Sequence, residues 1–139
     1  MTEAVLYDCK DGLAHITLNR PDARNALNSV MCEALVAATR RAREDGARCV
    51  LVQAMGSVFC AGADLKERQG MGDDAIRARR LKAFAAYEAV EHLPMPAIAV
   101  VEGPAVGSGV EIAAACDFII ATPSATPKKR AKRGWWRAW

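Results

Sequence analysis

The sequence predicts an α/β fold. Short apolar runs at residues 48–54, 97–102 and 117–121 alternate with helix-patterned stretches at 29–45, 73–92 and 108–115. Two of those runs feed loops rich in glycine and alanine that open into helix. Composition agrees: 52% hydrophobic and 25% charged residues suit one globular core. Strands and helices in that order give a sheet with helices packed on it, and loops at strand ends carry the chemistry.

Taken in order, residues 4–8 and 13–18 read as two short strands, with Asp11-Gly12 between them as a hairpin turn signal. Asn19-Arg20-Pro21-Asp22 breaks the pattern, because proline has no amide to give a ladder. A helix follows from Ser29 to Asp45, capped by Asn28 or Ser29, with Met31, Leu35, Ala38 and Ala42 on one apolar stripe and Gly46 as its stop. Residues 48–54 contain Cys-Val-Leu-Val, the pattern of a strand buried on both faces. A loop runs to Asp64. Residues 73–92 form a second long helix, with Leu81, Phe84, Tyr87 and Val90 at helical spacing and Pro94 and Pro96 as its stop. Arg77, Arg79, Arg80 and Lys82 on it read as a solvated face in preference to a phosphate patch. Residues 97–102 are a third buried-type strand, 103–107 a turn, 108–115 a short helix and 117–121 a further strand.

Charge and cysteine content narrow the function. No apolar run reaches the roughly 18 to 20 residues of a membrane span, and Glu3, Asp8, Lys10 and Asp11 interrupt the first twenty residues, which argues against a leader or anchor. The net charge of +3 is uneven: residues 1–122 hold 13 basic and 16 acidic groups, while Lys128, Lys129, Arg130, Lys132, Arg133 and Arg137 follow without an acid. Cys9, Cys32, Cys49, Cys60 and Cys116 contain no C-x-x-C pair and have no histidine cluster nearby, so no metal site is expected. Scattered reduced thiols point to a cytoplasmic protein. Cys60, beside a glycine-rich loop, is a candidate nucleophile without a partner histidine. His15 and His92 carry no assigned role.

The two loops are Val58-Phe59-Cys60-Ala61-Gly62-Ala63-Asp64-Leu65-Lys66-Glu67 and Val101-Glu102-Gly103-Pro104-Ala105-Val106-Gly107-Ser108-Gly109-Val110-Glu111. Small residues let backbone N–H groups approach a ligand, and a helix start leaves such donors unpaired with partial positive charge behind them. Brought together, two such loops make an oxyanion hole. On a thioester, charge drawn to the carbonyl oxygen acidifies the α-carbon and makes the β-carbon electrophilic; loss of one such donor costs on the order of 3 kcal/mol. Each loop alone also fits a plain tight connection, and the second lacks the G-K-[ST] ending of a phosphate loop.

Ile16-Thr17-Leu18-Asn19-Arg20-Pro21, Asn25-Ala26-Leu27-Asn28, the first loop from Phe59, the second from Gly103, and Ala115-Cys116-Asp117 occur in that order. Together they resemble successive signatures of the enoyl-CoA hydratase/isomerase (crotonase) family, over residues 1–122. The resemblance implies a crotonase-like spiral of ββα units, C-terminally truncated. It implies an acyl-CoA substrate, with coenzyme A as part of that substrate and no separate cofactor. The amides of Ala63 and Ser108 match the oxyanion-hole donors, and Glu111 matches the glutamate that in hydratases activates water for the β-carbon. Arg24, Ala26, Ala61, Gly62, Asp64, Leu65 and Gly107 match positions around the bound thioester and its coenzyme A. Asp117 matches a structural position. Glu111 as a base is expected to face an apolar pocket where burial tunes it; a helix-start acid stabilised by the dipole is its structural alternative. Ser108 stands where the family usually has glycine, and a positive φ there would strain it.

Family members run on for roughly another hundred residues, with a second acid for proton transfer and helices that build trimers or hexamers. Here residues 123–139 read instead as a basic, disordered tail with Trp135, Trp136 and Trp139, of the kind an out-of-frame reading produces. Uncovered sheet edges are then expected to drive aggregation or self-association. The competing readings are an isomerase or thioester hydrolase, or a non-catalytic module whose tail binds nucleic acid or an acidic surface.

Overall fold

A computed structural model describes residues 3–128. Strand β1 (Val5–Lys10) and strand β2 (Leu13–Leu18) form the expected antiparallel hairpin. Asp11 and Gly12 have φ of 53° and 80°, the paired positive values that fit a two-residue turn to the right-handed twist of its strands. A 3-10 turn over Pro21–Ala23 leads to helix α1 (Ser29–Glu44). Asn28 caps α1 through its side-chain oxygen, which accepts from the Met31 amide at 2.9 Å. Beyond the last turn the Ala47 amide donates to Ala42 O and Gly46 to Arg43 O, closing the helix.

Strand β3 (Cys49–Ala54), helix α2 (Leu65–Arg68), helix α3 (Asp73–Glu91), strand β4 (Ala97–Val101), strand β5 (Pro104–Val106), helix α4 (Ser108–Ala115), strand β6 (Phe118–Ala121) and strand β7 (Thr126–Lys128) complete the order. The main sheet runs β1-β2-β3-β4-β6, parallel from β2 onward. The small second sheet pairs β5 with β7.

One face of the main sheet is the core. Ala14, Ile16, Val50, Val52, Ala97, Ala99 and Val101 are buried there, α1 lies over the hairpin, and α3 packs on α1. Their alternates Leu51, Ile98 and Val100 are only half-buried. The reading of β3 and β4 as buried on both faces is thus corrected: among the described residues these strands alternate, as strands with one covered face do. At the edge of the sheet β6 is exposed throughout, with Phe118, Ile119 and Ile120 all more than half exposed.

Three further expectations change. The buried stripe of α3 is Arg79, Ala83, Ala86 and Val90, while Leu81 is exposed to solvent and Phe84 only half-covered. Small alanines there let α3 approach α1. The segment read as a turn at 103–107 contains β5, and residues 126–128, read as tail, are its partner β7. The expectations for the rest of the tail, its tryptophans included, fall on residues 129–139, outside the described residues.

Candidate active site

The two glycine-rich loops meet. Phe59 and Cys60 amides donate to Pro104 O at 3.0 and 3.3 Å, and Val106 donates to Cys60 O at 2.8 Å, so residues 59–60 run alongside β5 as a short parallel ladder. Glycine permits the approach. A side-chain carbon on Gly109 would lie 2.6 Å from Cys60 O, and one on Gly62 3.2 Å from Val106 O. Gly107 turns the chain into α4 with φ of 52°. The positive φ therefore falls on Gly107 and not on Ser108, so the strain expected at Ser108 is absent.

The first loop is also fastened to the chain entry. Ala61 N donates to Arg24 O, Leu27 N to Gly62 O and Asp64 N to Leu27 O, at 3.0, 2.7 and 2.9 Å. This parallel bridge uses the amides on either side of Ala63 and turns the Ala63 N–H away from it. Ser108, first residue of α4, has no helical partner for its own N–H. Neither amide meets an acceptor among the described residues. Both residues line one cleft of about 160 Å³, together with Arg68, Arg80, Phe84 and Tyr87. Small residues at two loop ends thus leave two unpaired backbone donors beside one cleft.

Side chains hold this geometry. Asn25, fully buried with φ of 53°, donates to Met55 O and Val58 O at 2.9 and 2.8 Å and accepts from Arg20 N at 2.7 Å. Asp64 caps α2 by accepting from Lys66 N and Glu67 N, and its other oxygen takes Arg20 Nη1 at 3.1 Å. Burial pushes the Asp64 carboxyl up, but the Glu67 amide and Arg20 outweigh it and hold the group below the usual carboxylate range. Glu67 accepts from the Ser29 amide and from Arg79 Nε at 2.7 Å, and Arg79 Nη2 also donates to Leu27 O. Glu67 too lies below the ordinary range: burial raises it, and Ser29 and Arg79 prevail.

Of the residues expected at the site, Ala63, Ser108, Ala61, Gly62 and Gly107 come together around the joined loops, and Ala26 precedes the bridging Leu27, its carbonyl accepting from Arg20 Nη1. Arg24 is exposed and contributes its carbonyl to that framework. Asp64 spends its oxygens on the cap and Arg20, so its carboxylate anchors the loop; Leu65 is 67% exposed. Glu111 follows Ser108 by one turn of α4 but is exposed and lies outside the cleft lining, which corrects the expectation of a buried base. The inward positions of α4 are Gly109, Ile112 and Ala113, which leaves Glu111 on another face. Cys60 is fully buried and desolvation pushes its thiol up to about 11, which removes it as a nucleophile. Asp117 is structural as read: its carboxylate accepts from Ala97 N and its amide donates to Ala97 O, both at 2.8 Å.

Sequence reading missed Tyr87, Arg20 and the Glu67–Arg79 pair. Arg79 keeps register with Ala83, Ala86 and Val90 on the inward face of α3, but Arg77 and Arg80 beside it leave nothing in the sequence that singles it out. Among the described residues no His/Cys/Asp/Glu cluster is placed to hold a metal.

Residues 8–131 match the family model for enoyl-CoA hydratase/isomerase. The chain belongs to the enoyl-CoA hydratase/isomerase family. The enoyl-CoA hydratase domain-containing protein 2, mitochondrial, of Mus musculus is 42% identical over 116 residues, 82% of this chain and 39% of the relative. The enoyl-CoA isomerase/hydratase of Mycosarcoma maydis is 39% identical, over 79% of this chain and 43% of the relative. An enoyl-CoA hydratase/isomerase crystal structure from Xanthobacter autotrophicus Py2 superposes with a TM-score of 0.86 at 38% identity, covering 93% of this chain and 49% of that one. The chain thus spans about half the length, or less, of these family members, and its fold is the crotonase-like α/β fold they share.

Proposed function

We propose that the chain binds an acyl-CoA thioester and directs enoyl-CoA hydratase chemistry at it. The observation that carries this reading is the pair of unpartnered amides, Ala63 and Ser108, at one cleft where two loops are locked together. Seated on both donors, the thioester oxygen takes up charge, and the β-carbon of a 2-enoyl group becomes electrophilic. Glu111, exposed one helical turn beyond Ser108 and outside the cleft lining, is the carboxylate we assign to activate a water from the solvent side of that carbon. Coenzyme A enters as part of the substrate, along the segment carrying Arg24, Ala26, Ala61 and Leu65. Arg68 and Arg80 at the cleft give its approach a basic border. The five free thiols support a reducing, cytoplasmic setting.

The test is turnover of a short 2-enoyl-CoA. The Glu111→Gln variant is expected to lose about 100-fold or more in rate while still binding the thioester. An unchanged rate would remove Glu111 from the mechanism. The double name of the Mycosarcoma maydis relative favours a second reading, isomerisation. There one carboxylate takes the α-proton of a 3-enoyl-CoA and returns it at the γ-carbon. Offering the 3-enoyl-CoA to the same two proteins separates the readings.

A further inference from the structure

The side chain of Ser108 adds a donor that the two-amide site does not contain. Tyr87 Oη donates to Ser108 Oγ at 2.8 Å, from α3 to the first residue of α4. A serine hydroxyl that accepts one hydrogen bond keeps its own O–H to give, and Ser108 Oγ meets no acceptor among the described residues. Ser108 and Tyr87 both line the cleft that holds Ala63. Tyr87 is half-buried, and burial above all pushes its phenol up from the ordinary value, so it stays a donor across the neutral range.

We propose that the Ser108 hydroxyl, aligned by Tyr87, is a third hydrogen-bond donor to the thioester oxygen as it becomes an enolate. Ser108 is then a catalytic residue through its side chain as well as its amide, and Tyr87 is a positioning residue. A chain of two hydroxyls also polarises along its length, so the donor nearest the ligand strengthens as charge develops on the oxygen. The inference rests on the thioester-binding reading above.

Its test uses acetoacetyl-CoA, a 3-oxoacyl thioester whose enolate is followed by ultraviolet absorbance, titrated with pH on the full chain. The parent is expected to bind the thioester and favour its enolate. Ser108→Ala is expected to lower the enolisation constant about tenfold, raising the apparent pKa of the bound ligand by about one unit. Tyr87→Phe should shift it in the same direction by less, and the double variant should match Ser108→Ala alone, because the tyrosine acts only through the serine. Ser108→Gly keeps the amide without the hydroxyl and carries the test should Ser108→Ala lose its melting transition. Parent-like enolisation in Ser108→Ala or Ser108→Gly would overturn the third donor while leaving the two-amide site in place. Additive effects of Tyr87→Phe and Ser108→Ala would overturn the alignment by Tyr87. A parent chain that fails to bind acetoacetyl-CoA, or binds it without enolisation, defeats the thioester-binding reading itself.

Discussion

Burial governs the thiol chemistry of single residues. Desolvation pushes Cys32 and Cys60 up to about 11 and Cys116 up to about 12, so near neutral pH almost none of each is thiolate. Cys9 and Cys49 are only partly covered. An aromatic disulfide reagent at pH 8 should therefore label those two in the folded chain and reach the other three only after urea is added. Fast labelling of Cys60 in the folded state would restore it as a candidate nucleophile. Ala63 and Ser108 were marked in the sequence only through resemblance to the family motifs, since small residues before a helix start equally fit a plain tight connection. Tyr87 and Arg79 were not, because their partners lie 21 and 52 residues away and only the fold brings them together.

At the level of elements, α1 and α3 show where pattern suffices and where it fails. Met31, Leu35, Ala38 and Ala42 are buried as read, since α1 has a single apolar stripe. On α3 the larger side chains drew the reading to Leu81 and Phe84, yet close approach to α1 favours the alanines and the arginine that satisfies Leu27 O and Glu67. Substitution separates the two faces: Ala86→Leu is expected to destabilise by about 1 to 3 kcal/mol through overpacking. Leu81→Gln should stay within about 0.5 kcal/mol of the parent. Urea unfolding of the two variants checks both, and equal losses would show that α3 has been placed on the wrong face.

For the whole molecule, the alternation of elements made an α/β sheet legible, whereas strand order and one-sided burial were not, because Val, Leu and Ile runs look alike whichever strand they pair with and whether one face or two is covered. Stability of the assembled chain has a definite sign with pH. Asp64 and Glu67 titrate below their unfolded values, so they stabilise the fold above the ordinary carboxylate range, near about pH 4, and that share is lost as pH falls through their folded values. The urea midpoint should hold from pH 7 to about pH 5 and drop below about pH 4, with a shallower drop in Glu67→Gln. A drop of parental steepness in that variant would remove Glu67 from the effect. The ladder between residues 59–60 and β5 carries a further meaning. Because it fixes the cleft during folding, a ligand there has no loop to order and recovers more of its contact energy as affinity. By the same linkage, occupancy adds to the melting temperature in proportion to the logarithm of ligand concentration, so the thermal stability of the chain is itself a gauge of what the cleft prefers.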